Sequence, residues 1–361
     1  MMLAASSGVR ATACRKDAET MTVNPLERAD WDALVAAHPQ STIFHGAGWA
    51  RVLMETYGHK PEYVIRIQNG RLEGLLPVME VSSWLTGRRG VSLPFTDFCP
   101  ALKGAGCDGR GLYQEAMELA RRRGWKRLEC RSFDGDWTGA GSSLSFYGHE
   151  IDLGVGPEKL FQGMESSVRR AVRKAEKSEV KIDFDNSEES MRTFFSLHCG
   201  TRRRHGVPPQ PWRFFLQIQR CLLNVGRGFL ATARLGGRPL AASVFLHDSR
   251  NALYKFGASD YAFQQMRPSN LVMWAGMKHC AEQGLATLNL GRTSLSNEGL
   301  RRFKLGLGAV EQEVRYMKYD FAAEQFVRDV DRAEGWHNRV FARLPLPVLR
   351  LAGSVLYPHL S

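Results

Sequence analysis

The stretch "NALYKFGASDYAFQQMRPSNLVMWAGMKHCAEQGLATLNLG", residues 251–291, reads as a strand, a helix and a second strand in direct succession. Gly257 to Ser259 close the first strand, and Pro268 pre-sets the φ of a first helical turn. Ser269 and Asn270 stand as capping residues, and Gly284 supplies the left-handed stop before "LATLNLG" resumes as a strand. Such a strand-helix-strand unit belongs to a layered α/β fold.

Working outward, the same grammar occurs earlier. "GLYQEAMELARRRGWKRLECRSF", residues 111–133, places apolar residues at 112, 116, 119 and 120, stops at Gly124 and leads into a strand. Gly124 and Gly284 lie 160 positions apart, and at that offset Met117 meets Met277, Ala120 meets Cys280 and Leu128 meets Leu288. Upstream of each unit is a hairpin. "PEYVIRIQNGRLEGLLPVMEV" alternates apolar and polar residues about Asn69-Gly70, and "GFLATARLGGRPLAASVFL" turns on Gly236-Gly237. A third strand follows each, "GVSLPF" and "NALYKFGAS". The chain reads as two copies of one unit: hairpin, third strand, helix, further strand.

Composition sets the outer bounds. At 361 residues the chain fits two compact domains, and 43% hydrophobic with 24% charged residues is ordinary for a folded protein. The formal net charge of +12 comes with arginine clusters at 121–123, 169–170, 202–204 and 301–302, which would draw phosphorylated small molecules, anionic lipid or RNA alike. Seven cysteines without a CxxC pair argue against a disulfide framework and a zinc site and for a reducing cytoplasm. No apolar run reaches the length of a membrane span. Residues 1–20 read as an unstructured extension, with Met21 an alternative start; residues 321–361 read as a helical, partly apolar tail suited to a membrane interface or to packing on the body.

The chemistry is sought where strands end and helices begin, because a helix N-terminus attracts phosphate. At the second junction Arg267 stands beside Ser269 and Asn270 as a bidentate phosphate ligand; a well-capped buried helix is the structural alternative. At the first, Asp97 and Cys99 follow a strand. Asp97 serves as a general base, a holder of a substrate amine, or a turn cap; Cys99 shows no base at useful spacing and reads as inert. No GxSxG, HExxH, Walker or strand-linked GxGxxG pattern is present.

Residues 253–316 resemble the second domain of FemAB-like acyltransferases, double-domain relatives of the GNAT N-acyltransferases. The resemblance rests on Gly-Ala-Ser after a strand, Arg-Pro opening a helix, the strand "NLGR", and "GLRRFKLGLGA"; "SSVRRAVRKAEKSEVKI" and "SLPFTDFCPAL" extend it over residues 25–320. It implies an α/β, layered α+β fold of two tandem GNAT-like domains, each a mixed, mostly antiparallel sheet flanked by helices: residues 21–153, and 154–320 as the acyltransferase domain. It also implies transfer of an acyl or aminoacyl group to an amine. "QQMRPSNL" stands in place of the usual pyrophosphate loop, so acyl-CoA and aminoacyl-tRNA both stay open as co-substrate, with no tightly bound cofactor expected.

Carried over by resemblance, Phe303 and Lys304 fall on a functional Phe-Lys pair at the transfer site. Lys304 is expected to stabilise the tetrahedral oxyanion, and its alanine variant to lose transfer with the fold intact. Arg292 and one of Arg202 to Arg204, taken as Arg204, are expected to bind acceptor phosphates. The expected acceptor is a phosphorylated or lipid-linked envelope precursor, met in the cytoplasm or at the inner membrane face, with tRNA a candidate partner. The competing reading is a catalytically inert double-GNAT protein that binds anionic glycolipid or membrane during polysaccharide or cell-wall assembly.

Overall fold

The computed structural model describes residues 20–105, 107, 109–133, 142–329, 331 and 336–360. The extension expected at residues 1–20 lies outside them except for Thr20, which opens the first strand. In chain order the first half contains β1 (Thr20–Val23), α1 (Trp31–Ala36), α2 (Ala47–Tyr57), β2 (Lys60–Pro61), β3 (Tyr63–Gln68), β4 (Arg71–Leu76), β5 (Met79–Ser83), β6 (Gly87–Ser92), β7 (Leu102–Lys103), α3 (Arg110–Arg123), β8 (Arg127–Arg131) and β9 (Leu144–Asp152). The second half contains α4 (Pro157–Gly163), α5 (Ser166–Lys177), β10 (Lys181–Phe184), α6 (Glu188–Arg204), α7 (Trp212–Cys221), β11 (Gly228–Leu235), β12 (Arg238–His247), β13 (Asn251–Ser259), α8 (Pro268–Glu282), β14 (Thr287–Ser294), α9 (Glu298–Gly306) and β15 (Val310–Asp320). β16 (Gln325–Phe326), α10 (Trp336–Arg343) and α11 (Leu346–Leu356) complete the chain.

Both hairpins form as the turn residues predict, Asn69 and Gly70 on one side and Gly236 and Gly237 on the other taking positive φ. They are not used identically. β11 and β12 lie in one large sheet, whereas Pro77 interrupts the returning strand of the first hairpin: β4 joins a small sheet in the order β1-β3-β4-β7 and β5 joins the large one. Proline has no N–H for the ladder, so the strand changes partner there.

The large sheet runs β10-β11-β12-β13-β14-β9-β15-β8-β6-β5-β2, with β16 beside β15. Its parallel pairs, β13 with β14 and β6 with β8, are the two places where a helix crosses over, α8 and α3. Between these pairs the halves exchange strands. β9, which ends the first half, pairs with β14 of the second; β15, which ends the second, pairs with β8 of the first; β9 and β15 pair with each other over seven residues. The sheet is thereby one continuous surface across both halves.

Three apolar clusters fill the layers. One packs α2, α6 and α7 on one face of β12 and β13 around Trp49, Phe194, Phe214 and Phe215. A second packs α5 and α8 on the opposite face, and a third packs α3 in the first half. Each fully buried side chain of this size contributes about 1.5–3 kcal/mol of transfer free energy. α8 sits close on the sheet because a β-carbon at Gly276 would lie 2.1 Å from the Phe245 ring. The tail departs from expectation. No helix starts at Phe321; Asp320 Oδ1 accepts from Ala322 and Ala323 N–H, and the turn returns the chain as β16.

Candidate active site

β13 and β14 pair only at residues 251–253 and 287–289 and then part. Each carries a β-bulge at the parting. On β13, Phe245 faces Tyr254 and Val244 faces Phe256, so Lys255 is the extra residue. On β14, Asn289 faces Glu150 and Arg292 faces Gly148, so Leu290 and Gly291 oppose His149 alone. Bulges re-aim side chains, and these deliver Lys255 and Arg292 to the opening.

The loop after β6 fills that opening. It is held residue by residue from both halves: Lys255 Nζ donates to Phe95 O at 2.5 Å, Arg131 to Thr96 O at 2.5 Å, Tyr316 Oη to Asp97 O at 2.7 Å and the His45 ring to Pro100 O at 2.9 Å, while Cys99 N–H donates to Ser132 Oγ at 3.0 Å. Phe95 and Ser132 both sit at positive φ, 58° and 62°. Backbone held in that region by surrounding contacts is a recurrent property of functional sites.

The result is a fixed Asp97. Its carboxylate lies 3.6 Å from Arg292 Nε and against the α-carbon of Gly291, where a β-carbon would come within 2.7 Å. Burial alone would raise its pKa, but the charges of Lys255, Arg292, Lys304 and Arg131 hold it below the ordinary carboxylate value. Burial in turn lowers Lys255 and Lys304 to about 8, with Asp97 pulling both back up. Arg292 stacks over Phe146 at 4.1 Å and Tyr316 at 5.1 Å.

Three of the residues expected from sequence, Asp97, Arg292 and Lys304, therefore converge here, with differences in role. Asn297 caps α9 through its side chain, as expected for the helix carrying Phe303 and Lys304. Lys304, however, is 4% exposed and donates to the carbonyls of Gly291 and Arg292 at 2.9 and 3.0 Å. It clamps α9 to the β14 bulge, so loss of its side chain without cost to the fold is no longer expected. Phe303 is half-buried against the α8 cluster. Asp97, ringed by cations, is a poor base and a poor seat for an ammonium.

The other expected residues stand at the far end of β13. Arg267, not Ser269 or Asn270, is the N-cap of α8: it sits at φ 59°, no side chain caps the helix, and Ser269 and Asn270 lie inside the first turn. The arginine triplet is sorted by its contacts. Arg202 is committed to Pro208 O after α6 and to Tyr357 Oη of the tail, while Arg203 and Arg204 line a surface cavity of about 570 Å³ with Ser259 and Tyr261, Arg204 stacking over Tyr261 at 4.9 Å.

Several participants were not visible in the sequence. Lys255 sits in an ordinary strand pattern, and only the pairing register shows it to be the bulge. Cys99 does have a histidine beside it, His45 Nε2 at 3.9 Å from Sγ. The pair is nonetheless inert. His45 Nδ1 accepts from Thr42 N–H, so Nε2 carries the proton and gives it to Pro100 O; burial raises the thiol and depresses the imidazole to about 4. Next to the cluster lies a cavity of about 540 Å³, lined by Phe44, Phe98, Leu253, Asn251, Asn289 and Glu150 among others.

Comparison with known proteins fits this geometry. Residues 163–309 match the family model described as an acetyltransferase (GNAT) domain. No curated protein matches the sequence. Among solved structures the chain is similar to FemX, at 15% identity and TM-score 0.65, with 84% of this chain and 98% of that one covered. It is also similar to the C-terminal domain of a putative lysylphosphatidylglycerol synthetase from Agrobacterium fabrum (14%, TM-score 0.55, 86% and 93%) and to a tandem GNAT protein from the clavulanic acid biosynthesis pathway (12%, TM-score 0.52, 84% and 98%). The segment carrying the parted strands and α8 thus matches the GNAT domain model, and the chain as a whole has the tandem-GNAT fold that FemX and the clavulanic acid pathway protein also show.

Proposed function

We propose that the protein is an acyltransferase that moves an acyl or aminoacyl group from a thioester or ester donor to an amine of a cell-envelope precursor or another phosphorylated acceptor. The observation that carries the proposal is the cluster of Lys255, Arg292 and Lys304 around Asp97 at the parting of β13 and β14 in a GNAT domain. Aminolysis of an ester or thioester passes through a tetrahedral oxyanion, and fixed cations that need no reorganisation stabilise it. Asp97 holds those cations in place rather than taking a proton. Arg267, Ser269 and Asn270 at the start of α8 are the donor-phosphate residues in this proposal, and Arg204 is an acceptor-phosphate residue. The neighbour named for lysylphosphatidylglycerol synthesis favours aminoacyl donors; the GNAT family model favours acyl-CoA. The test is incubation with acyl-CoAs and aminoacyl-tRNAs together with amine-bearing envelope precursors, read by mass spectrometry. Acylated acceptor made by the wild type and lost in Arg292→Ala supports it. Absence of product, together with no donor-induced rise in melting temperature, favours the inert glycolipid-binding reading.

An exposed apolar surface flanked by arginines supports the envelope acceptor. No helix among the described residues is long and apolar enough to cross a membrane. α11 instead buries Leu349 and Gly353 on the body and exposes Val348, Leu351 and Val355. Beside its end, Trp84 and Leu85 protrude from the β5-β6 turn, Trp84 80% exposed and 5.2 Å from the His359 ring. Residues 336–360 and 81–92 contain five arginines and no acidic residue. Apolar side chains flanked by arginine suit an anionic bilayer surface.

A further inference from the structure

We infer that the cavity beside the Asp97 cluster binds a primary amine carried on a short apolar chain, with Glu150 as its anionic anchor. As the acceptor subsite, this inference rests on the acyl-transfer reading; as a binding site it stands without it.

Geometry places the cavity against the cluster. Along β9 the side chains of Phe146 and Glu150 share one face with the α-carbon of Gly148 between them, because alternate residues of a strand do. Gly148 is opposite Arg292 and Glu150 is opposite Asn289, so the two positions are separated by two residues, about 7 Å along the strand. Two further links join them. Phe98, which lines the cavity, follows Asp97 directly, and the ring of Phe44 has cavity on one side and Lys255 Nζ 5.3 Å from its centre. Asn289, also in the lining, uses its Oδ1 to hold the Gly291 N–H of the bulge.

The lining selects the ligand. A volume of about 540 Å³ holds a small organic molecule, and Phe44, Phe98 and Leu253 give it apolar walls. Into these walls comes one carboxylate. Asp97 faces four cations; the Glu150 carboxylate has no ionic or hydrogen-bond partner among the described residues, and burial alone raises its pKa. A partly buried carboxylate without a counter-charge gains most from a ligand cation that supplies hydrogen bonds. An alkylammonium has both the charge and the apolar body. During transfer it gives one proton to Glu150, and the freed lone pair forms the C–N bond. The donor's C–S or C–O bond breaks with its electron pair passing to sulfur or oxygen, and the second nitrogen proton neutralises that leaving group.

The test needs no acyl donor. Binding of n-hexylamine, n-hexanol and hexanoate is measured by calorimetry and thermal shift on wild-type protein, Glu150→Gln and Asp97→Asn. The expected result is hexylamine bound at least tenfold more tightly than hexanol, reduced at least tenfold in Glu150→Gln and retained in Asp97→Asn. Glu150→Gln keeps the side chain's shape and is expected to melt with the wild type, so a loss of binding in it would report charge. Equal hexylamine affinity in Glu150→Gln overturns the inference, and so does preference for hexanoate, which would assign the cavity to Lys103 in the same lining. Amine binding without transfer supports the site while removing the acyl-transfer reading. Transfer that survives in Glu150→Gln with unchanged amine affinity removes the site while leaving the reading intact.

Discussion

The Asp97 carboxylate lies 3.6 Å from Arg292 Nε and covers the α-carbon of Gly291, joining the loop after β6 to the β14 bulge. The contact crosses the chain's two halves. Neither half holds a complete site: Asp97, Arg131 and His45 come from the first, and Lys255, Arg292, Lys304 and Tyr316 from the second. The exchanged strands β9 and β15 are what hold the contributions together, since β9 runs beside β14 and β15 carries Tyr316 to the Asp97 backbone.

Gly291→Ala should break this contact. Gly291 has φ 72°, and its added β-carbon would stand 2.7 Å from Asp97 Oδ2. The left-handed conformation alone costs a non-glycine residue about 1–2 kcal/mol, and the carboxylate must also move. A lower melting temperature with transfer reduced at least tenfold is expected, measured by calorimetry and initial rates. A variant that melts and turns over like the wild type would show that the Asp97 position is unimportant.

Lys304→Met should lose stability as well as transfer. The methionine fills the volume but leaves the carbonyls of Gly291 and Arg292 without their donor, and each buried unpaired acceptor costs about 1–3 kcal/mol. Escape from burying an ammonium offsets part of this, so the net loss should be about 2 kcal/mol in urea unfolding. Unchanged stability with abolished transfer would restore Lys304 to a purely chemical role.

Stability should fall between pH 6.5 and 4.5. His45 and His59 are depressed to about 4 and His198 to about 3, all chiefly by burial. Below 6.5 the unfolded chain therefore binds protons that the native state refuses, and acid favours unfolding. Each group contributes about 1.4 kcal/mol per pH unit across its window. Urea midpoints measured at half-unit intervals should decline through this range, and His198→Phe should flatten the decline. A midpoint constant from pH 6.5 to 4.5 would mean that these rings protonate in place.

Local features were legible in the sequence and distant pairings were not. Asn69-Gly70, the Gly284 stop after α8 and the Asn297 cap act within a few residues, and a turn or cap needs no partner elsewhere. The repeat and the resemblance brought Asp97, Arg292, Phe303 and Lys304 into one hypothesis. Lys255 was missed because a bulge is defined by the opposite strand, and Glu150 because nothing local shows which strands will flank β9. The tail was misread from Phe321 because its mixture of apolar and charged residues suits a helix, while the turn is set by Asp320.

The surface formed by α11 and the β5-β6 turn should bind anionic vesicles. Val348, Leu351 and Val355 lie on one exposed face of α11, and Trp84 and Leu85 extend the apolar area at the His359 end. Arg88 and Arg89 on the hairpin and Arg339, Arg343 and Arg350 on the tail each add about 1 kcal/mol when they lie near an anionic surface. Sedimentation with phosphatidylglycerol vesicles should bring the protein down, phosphatidylcholine vesicles should not, and added salt should weaken the association. Trp84→Ala with Leu351→Ser removes apolar area from both elements while leaving every charge, and neither side chain is part of the core. If this double variant sediments like the wild type, the attraction is electrostatic alone and the apolar surface is not inserted. If it is lost, binding requires insertion of the apolar side chains of the tail and the hairpin.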